Sequence, residues 1–177
     1  MSGIISDNVG RASGLIKAAG GGGGKIGQVL SAMKLDTQSF SSTSWVDISD
    51  LTIAITPTAI SSKIFWQYYF VGASTTNYGL SKIVYGDNSD LTTASIHESA
   101  GIRIRGTSGW GYTSGGDLTT VHAIAGLDSP ATTSATTYKV QWWQHGGTFY
   151  VGRPVTWYDD ASTFASIGSI TVMEVLA

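Results

Sequence analysis

The 177-residue chain carries ten Lys and Arg against twelve Asp and Glu, a formal net charge of −2, and no cysteine. That balance excludes the strong basic field of a nucleic-acid-binding surface, and the missing thiols exclude disulfide frameworks, thiolate metal sites and cysteine nucleophiles. With 23 Ser, 21 Thr and 23 Gly but only 12% charged residues, the texture is that of an all-β protein rather than a helical bundle.

The opening stretch MSGIISDNVGRASGLIKAAGGGGGK holds two short apolar peptides that echo each other, Ser2-Gly3-Ile4-Ile5 and Ser13-Gly14-Leu15-Ile16, ahead of five consecutive glycines at 20–24. Such a peptide cannot bury its own side chains. The chain is therefore expected to divide into an N-terminal anchor with a glycine-rich tether (1–25) and a β-sandwich domain (26–177), long enough for its own core. A solvated tail is the alternative for residues 1–25, and the recurrence of the apolar pair favours an anchor built on Ile4, Ile5, Leu15 and Ile16. Asp7 and Arg11 interrupt the apolar runs, so no ordinary secretion signal is expected. No segment approaches the roughly 18–20 apolar residues that span a bilayer.

Short strands follow at close intervals. IGQVLSAMKL (26–35) predicts a first strand, DTQSFSSTS a hydroxyl-rich turn, and WVDI (45–48) a short strand. LTIAIT alternates Leu51, Ile53 and Ile55 with Thr52 and Thr56 until Pro57 ends it, the pattern of a half-buried strand. In KIFWQYYFVG (63–72), Ile64, Trp66, Tyr68 and Phe70 fall on one face and Phe65, Tyr69 and Val71 on the other. Both faces want cover, and because a two-layer sandwich buries only one face of each sheet, the second face predicts a neighbouring subunit. Further strands are expected at 78–86, 101–106, 119–127, 137–144, 148–153 and 169–175, with Gly146-Gly147 as the tight turn of a hairpin. SIHES and residues 5–19 each have the length for a turn of helix. Short strands separated by Gly, Ser, Asp and Thr clusters predict an antiparallel β-sandwich of jelly-roll type.

Motifs for catalysis are missing. His97, His122 and His145 lack zinc spacing, and His122 alternates with Val121 and Ala123 as a hydrogen-bonded structural histidine would. No GxSxG elbow is present. AGGGGGKI fails the phosphate-loop pattern, having Ala19 where a glycine is needed and Ile26 where Ser or Thr is needed. No cofactor and no metal are expected. Two loops carry exposed-type aromatics. The Gly-rich stretch 105–119 holds Trp110 and Tyr112, and RPVTWYDDASTF (153–164) holds Trp157 and Tyr158. Flat rings on such loops are candidates for stacking on a sugar or a protein; the competing reading folds Trp110 back over a sheet edge. Asp159 and Asp160 read as a solvated turn rather than a calcium site, since a full oxygen-ligand set is missing.

STSWVDISDLTIAITPTAISSKIFW, followed by LDSPATTSATTYKVQWWQHGGTFYVGR, DDAS and a closing SITVMEVLA, resembles a module that recurs in structural proteins of tailed bacteriophages, marine ones especially. The resemblance runs over most of residues 28–177. It implies a compact β-sandwich in a homotrimeric tail fibre or a capsid decoration on the virion, without the repeat shaft of longer fibre proteins. It also implies contacts with other virion proteins through the N-terminus, and with host surface glycans during attachment. Neither nucleic acid nor membrane enters as a partner. Two classes of function follow: a non-enzymatic virion structural protein, and a carbohydrate-binding module or polysaccharide depolymerase whose acid pair is invisible in sequence.

Overall fold

The structure is a computed structural model that describes residues 25–75, 78–93, 95–98, 101–110 and 119–176. The candidate anchor residues Ile4, Ile5, Leu15 and Ile16, and Tyr112, lie outside them. The described residues form ten strands and no helix: β1 (Lys25–Lys34), β2 (Gln38–Phe40), β3 (Val46–Ile55), β4 (Lys63–Ser74), β5 (Gly79–Tyr85), β6 (Ser108–Trp110), β7 (Thr120–Asp128), β8 (Thr136–Gln144), β9 (Phe149–Val151) and β10 (Gly168–Leu176). None of the described residues lies in a helix long and apolar enough to cross a membrane.

All pairings are antiparallel, and the strands form two layers. One sheet runs β7–β4–β10–β1, with β9 continuing the place of β10 beside the end of β4, and β2 continuing the place of β1. The other runs β3–β8–β5–β6. From β2 to β9 the chain changes layer at each connection except β5 to β6, which is the connectivity of a jelly roll. We call the layers the β4 sheet and the β8 sheet.

Period-2 alternation sets the core. Ile64, Trp66, Tyr68 and Phe70 of β4 point between the layers and meet Tyr138, Val140 and Trp142 of β8, with Ile170 and Val172 of β10 beside them. Trp142 stacks on Phe149 at 3.7 Å between ring centroids. Two strand glycines make room for the indoles: a Cβ at Gly79 would stand 2.2 Å from Trp142, and one at Gly126 2.3 Å from Trp66. Each large side chain so buried contributes about 1.5–3 kcal/mol.

Several sequence expectations need correction. The 36–44 turn contains β2. The segments at 45–48 and 51–56 are one strand, β3, whose register shifts between Asp47 and Thr52 around Asp50 at φ 63°. Residues 101–106 are irregular, because the place beside β5 is taken by β6, and Ile102 and Ile104 are left exposed. The Gly146-Gly147 turn forms, with Gly147 at φ 73°, but it is no hairpin. Since β8 is already paired with β3 on one edge and β5 on the other, β9 has no edge to join and crosses to the opposite sheet. Residues 95–98, the described part of SIHES, are not helical.

Candidate functional site

The outward faces of the two sheets differ in chemistry. On the β4 sheet the register aligns Val29, Met173, Phe65 and Leu127 in one row across four strands. The next row is Ser31, Thr171, Gln67 and Ala125, and the third is Met33, Ser169, Tyr69 and Ala123. No side chain in these rows is charged. Val29, in the middle of β1, is 53% exposed, and Leu127, near the end of β7, 42%. Between the rows lies a shallow depression of about 290 Å³ lined by Gln67, Tyr69, Ala123, Ala125 and Ser169.

The β8 sheet turns a polar cluster outward, beside which Leu80 and Trp143 stand half-buried on the same face. Asp47, Gln141 and Lys82 are aligned across β3, β8 and β5. Asp47 accepts from Lys139 Nζ at 2.8 Å and from Gln141 Nε2 at 2.6 Å. Gln141 also donates to Asn88 Oδ1 at 2.7 Å. Lys82 lies 3.6 Å from Asp90 and 4.7 Å from the centre of the Trp45 ring. These groups satisfy one another and need nothing further from a partner.

An aromatic surface stands on the segment between β9 and β10. Tyr150 follows the inward Phe149 and so points outward from the β4 sheet. The Arg153 guanidinium sits 3.9 Å from the centre of the Tyr150 ring and 4.9 Å from that of Trp157. This stack holds Trp157, 47% exposed, beside Tyr158, 61% exposed. The segment leaves the sheet at Gly152, whose φ of 81° and closeness to the Ser166 and Asp36 carbonyls suit glycine. Asp160 accepts from the Ser162 amide at 2.8 Å and from its hydroxyl, which holds the carboxyl below its ordinary range in a local turn. Asp159 is exposed beside Tyr158.

Trp110 sits elsewhere. It ends β6, half-buried against the core on the edge of the β8 sheet, so its ring folds over a sheet edge, as the simpler of the two sequence readings has it. The edge strands β1 and β6 belong to different sheets, and Trp110 and the Trp157–Tyr158 surface stand on different layers.

The buried ionisable groups are tied into the fold. Asp128 accepts from the hydroxyls of Tyr85 at 2.6 Å, Thr92 at 2.7 Å, Tyr138 at 2.8 Å and Thr93 at 2.9 Å. Burial alone would raise its pKa, and these four donors outweigh that and lower it. Burial and the facing carboxylate push Tyr138 up. Glu174 is likewise buried. Donors that include the Thr58 amide at 2.6 Å, the Thr58 hydroxyl at 2.7 Å and Gln28 Nε2 at 2.9 Å overcome the burial cost and bring its pKa to about 2. Lys34, 1% exposed, donates to Asp36 and Ser49. His122 stacks on Phe70 at 4.7 Å, and burial lowers its pKa to about 4. Its Nε2 has no hydrogen-bond partner among the described residues. It is a core ring, as its place between Val121 and Ala123 implied, but of the hydrogen bonding expected of it there is only a 3.5 Å contact between Nδ1 and the Ser108 hydroxyl.

Sequence reasoning missed the Arg153 stack and the charge-free rows. Tyr150 and Arg153 fall within one predicted strand but Trp157 falls in the loop after it, and the rows exist only once β1, β10, β4 and β7 are placed side by side. No protein-family model matches this chain, and no curated protein sequence does.

Proposed function

We propose that the chain is a structural subunit of a tailed-bacteriophage particle: a fibre or decoration protein, homotrimeric, joined to other virion proteins by its N-terminal residues. The observation that carries this reading is the contrast between the two outward faces. One is closed by its own ion pairs, whereas the other offers charge-free rows to a protein neighbour, as subunits of permanent assemblies do. Its jelly-roll connectivity is an architecture used by capsid and lectin domains alike. Asp128 and Glu174 spend their oxygens on hydroxyl, amide and side-chain donors, which favours a structural over a catalytic use of both.

The Trp157–Tyr158 surface supports a second element of the reading, contact with host surface glycans. An indole held flat by a stacked guanidinium offers its face to the apolar side of a pyranose. Each contact contributes about 0.5–1.5 kcal/mol beyond area burial, so useful adhesion rests on several copies acting together.

Immunogold electron microscopy tests the first element. Antibodies raised against the purified chain should label purified particles at fixed positions. Label absent from particles, with the protein free in the lysate and releasing reducing sugar from a polysaccharide panel, would establish a depolymerase instead.

A further inference from the structure

The charge-free rows have a geometry that singles out what covers them. Resting on the trimeric reading above, we propose that three copies turn their β4 sheets towards a common axis and close a triangular prism, with Phe65 and Met173 innermost and Leu127 of each copy against Val29 of the next.

Three observations lead there. The first is chemical. Across the rows Val29–Met173–Phe65–Leu127, Ser31–Thr171–Gln67–Ala125 and Met33–Ser169–Tyr69–Ala123 there is no charged side chain, so these rows of identical faces meet without like-charge repulsion, and Lys63, in the next row, stands at their rim. The hydroxyls of Ser31 and Thr171 already lie 3.1 Å apart and carry a mutual hydrogen bond into a dry interface. A partner of different sequence would normally be matched by charge, and these rows offer none to match.

The second is size. Strands 4.8 Å apart make a four-stranded sheet about 19 Å wide, and the three rows, from Phe65 to Tyr69 on β4, extend it for about 14 Å, roughly 260 Å² of projected sheet. Side chains standing on that sheet raise its accessible area further, and three copies bury it together.

The third is shape. Three sheets about 19 Å wide, set as the sides of an equilateral triangle, each lie about 5.5 Å from the axis, close to half the roughly 10 Å between face-packed sheets. Side chains of ordinary length therefore meet at the axis and fill the prism. Each row becomes one layer: a large layer from Val29, Met173, Phe65 and Leu127 lies above a smaller one from Ser31, Thr171, Gln67 and Ala125. Because β7 and β1 are the opposite edges of the sheet, Leu127 and Val29 are the residues that meet at each corner.

The chain has no cysteine, which makes the corner directly testable. Within one chain Val29 and Leu127 are three strand spacings apart, about 14 Å, beyond the roughly 7 Å limit for a disulfide. The doubly substituted full-length chain, Val29→Cys with Leu127→Cys, treated with diamide as oxidant, should therefore give covalent trimer on a non-reducing gel. Either single substitution should give none. In parallel, mass photometry of the unsubstituted chain should show trimer, and Phe65→Glu should show monomer with an unchanged far-ultraviolet circular dichroism spectrum. Thr52→Glu on the β8 sheet should leave the trimer intact.

A trimer of unsubstituted chain that survives Phe65→Glu and gives no covalent trimer overturns this interface while leaving the trimeric reading in place. Covalent dimer alone overturns the three-fold arrangement. Monomer at micromolar concentration overturns both, and the particle labelling above still decides the virion reading separately. Should Phe65→Glu fail to fold, the cross-link decides alone.

Discussion

The outward faces of the β4 and β8 sheets are built on the same backbone plan and finished in opposite ways. On the β8 sheet, Asp47, Lys139, Gln141 and Asn88 form a connected set of hydrogen bonds. On the β4 sheet the equivalent rows are Val, Met, Phe, Leu, Ser, Thr and Ala around Gln67 and Tyr69. A sheet face in permanent contact with water gains from polar groups that satisfy one another, and a face awaiting protein is better without charges that must be stripped of water. On the proposed trimeric reading, stability of the single chain and assembly of several chains fall to different sides of one sandwich.

That division can be broken at five points, in descending order of effect. Asp128 fastens the end of β7 to Tyr85 and Tyr138 of the opposite sheet, so Asp128→Ala leaves several hydroxyl donors without their acceptor and loosens both faces together. A loss of about 3 kcal/mol or more is expected, because each buried polar group left unpaired costs about 1–3 kcal/mol; chemical denaturation measures it. His122 comes next. Its folded pKa of about 4 lies below the ordinary 6.5, so the unfolded chain binds the proton more readily. Stability is full above pH 6.5 and falls as pH drops towards 4, by about 3 kcal/mol at the limit. His122→Phe should remove that part of the slope from a series of denaturation curves. The depressed carboxyls of Glu174 and Asp128 should leave a further loss below about pH 4.5, and Glu174→Gln should reduce it.

Smaller effects sharpen the contrast itself. Asp47→Ala breaks two contacts on the β8 sheet and should cost about 1 kcal/mol, independent of protein concentration. Gln67→Leu on the β4 sheet should leave folding of the single chain within about 0.5 kcal/mol, while tightening association in a dilution series. If Asp47→Ala disturbs association as Gln67→Leu does, the two faces do not divide the work.

The sandwich was legible because alternation is a local property. Ile64, Trp66, Tyr68 and Phe70 mark an inward face without reference to any other strand. What local pattern cannot carry is the choice of edge. Ile102-Arg103-Ile104-Arg105 alternates as well as many strands do, yet Ser108–Trp110 holds the place beside β5. Likewise Gly146-Gly147 specifies a bend but not the sheet in which the chain continues. The second face of β4 was visible in Phe65, Tyr69 and Val71, but its extent was hidden, since Val29, Met173 and Leu127 come from three distant segments. Trp157 and Tyr158 were readable as loop aromatics. Arg153, which holds Trp157 in place, was hidden because a stacked guanidinium has no sequence period.

The pairing of Lys25 with Leu176 has a mechanical consequence. β1 is an edge strand that starts at this pole of the sandwich and runs the length of the sheet beside β10, its ladder bonds lying across the strand axis. A pull on the backbone at Lys25, resisted by a load on the opposite pole, acts along β1 and strains its bonds to β10 together, in shear. A pull that separates Lys25 from Leu176 instead opens the ladder one bond at a time. A subunit tethered through Lys25 and loaded at its far turns therefore resists force in its stronger direction, and optical-tweezer traces with handles at Lys25 and in the turn at 145–147 should show a higher rupture force than handles at the two paired ends.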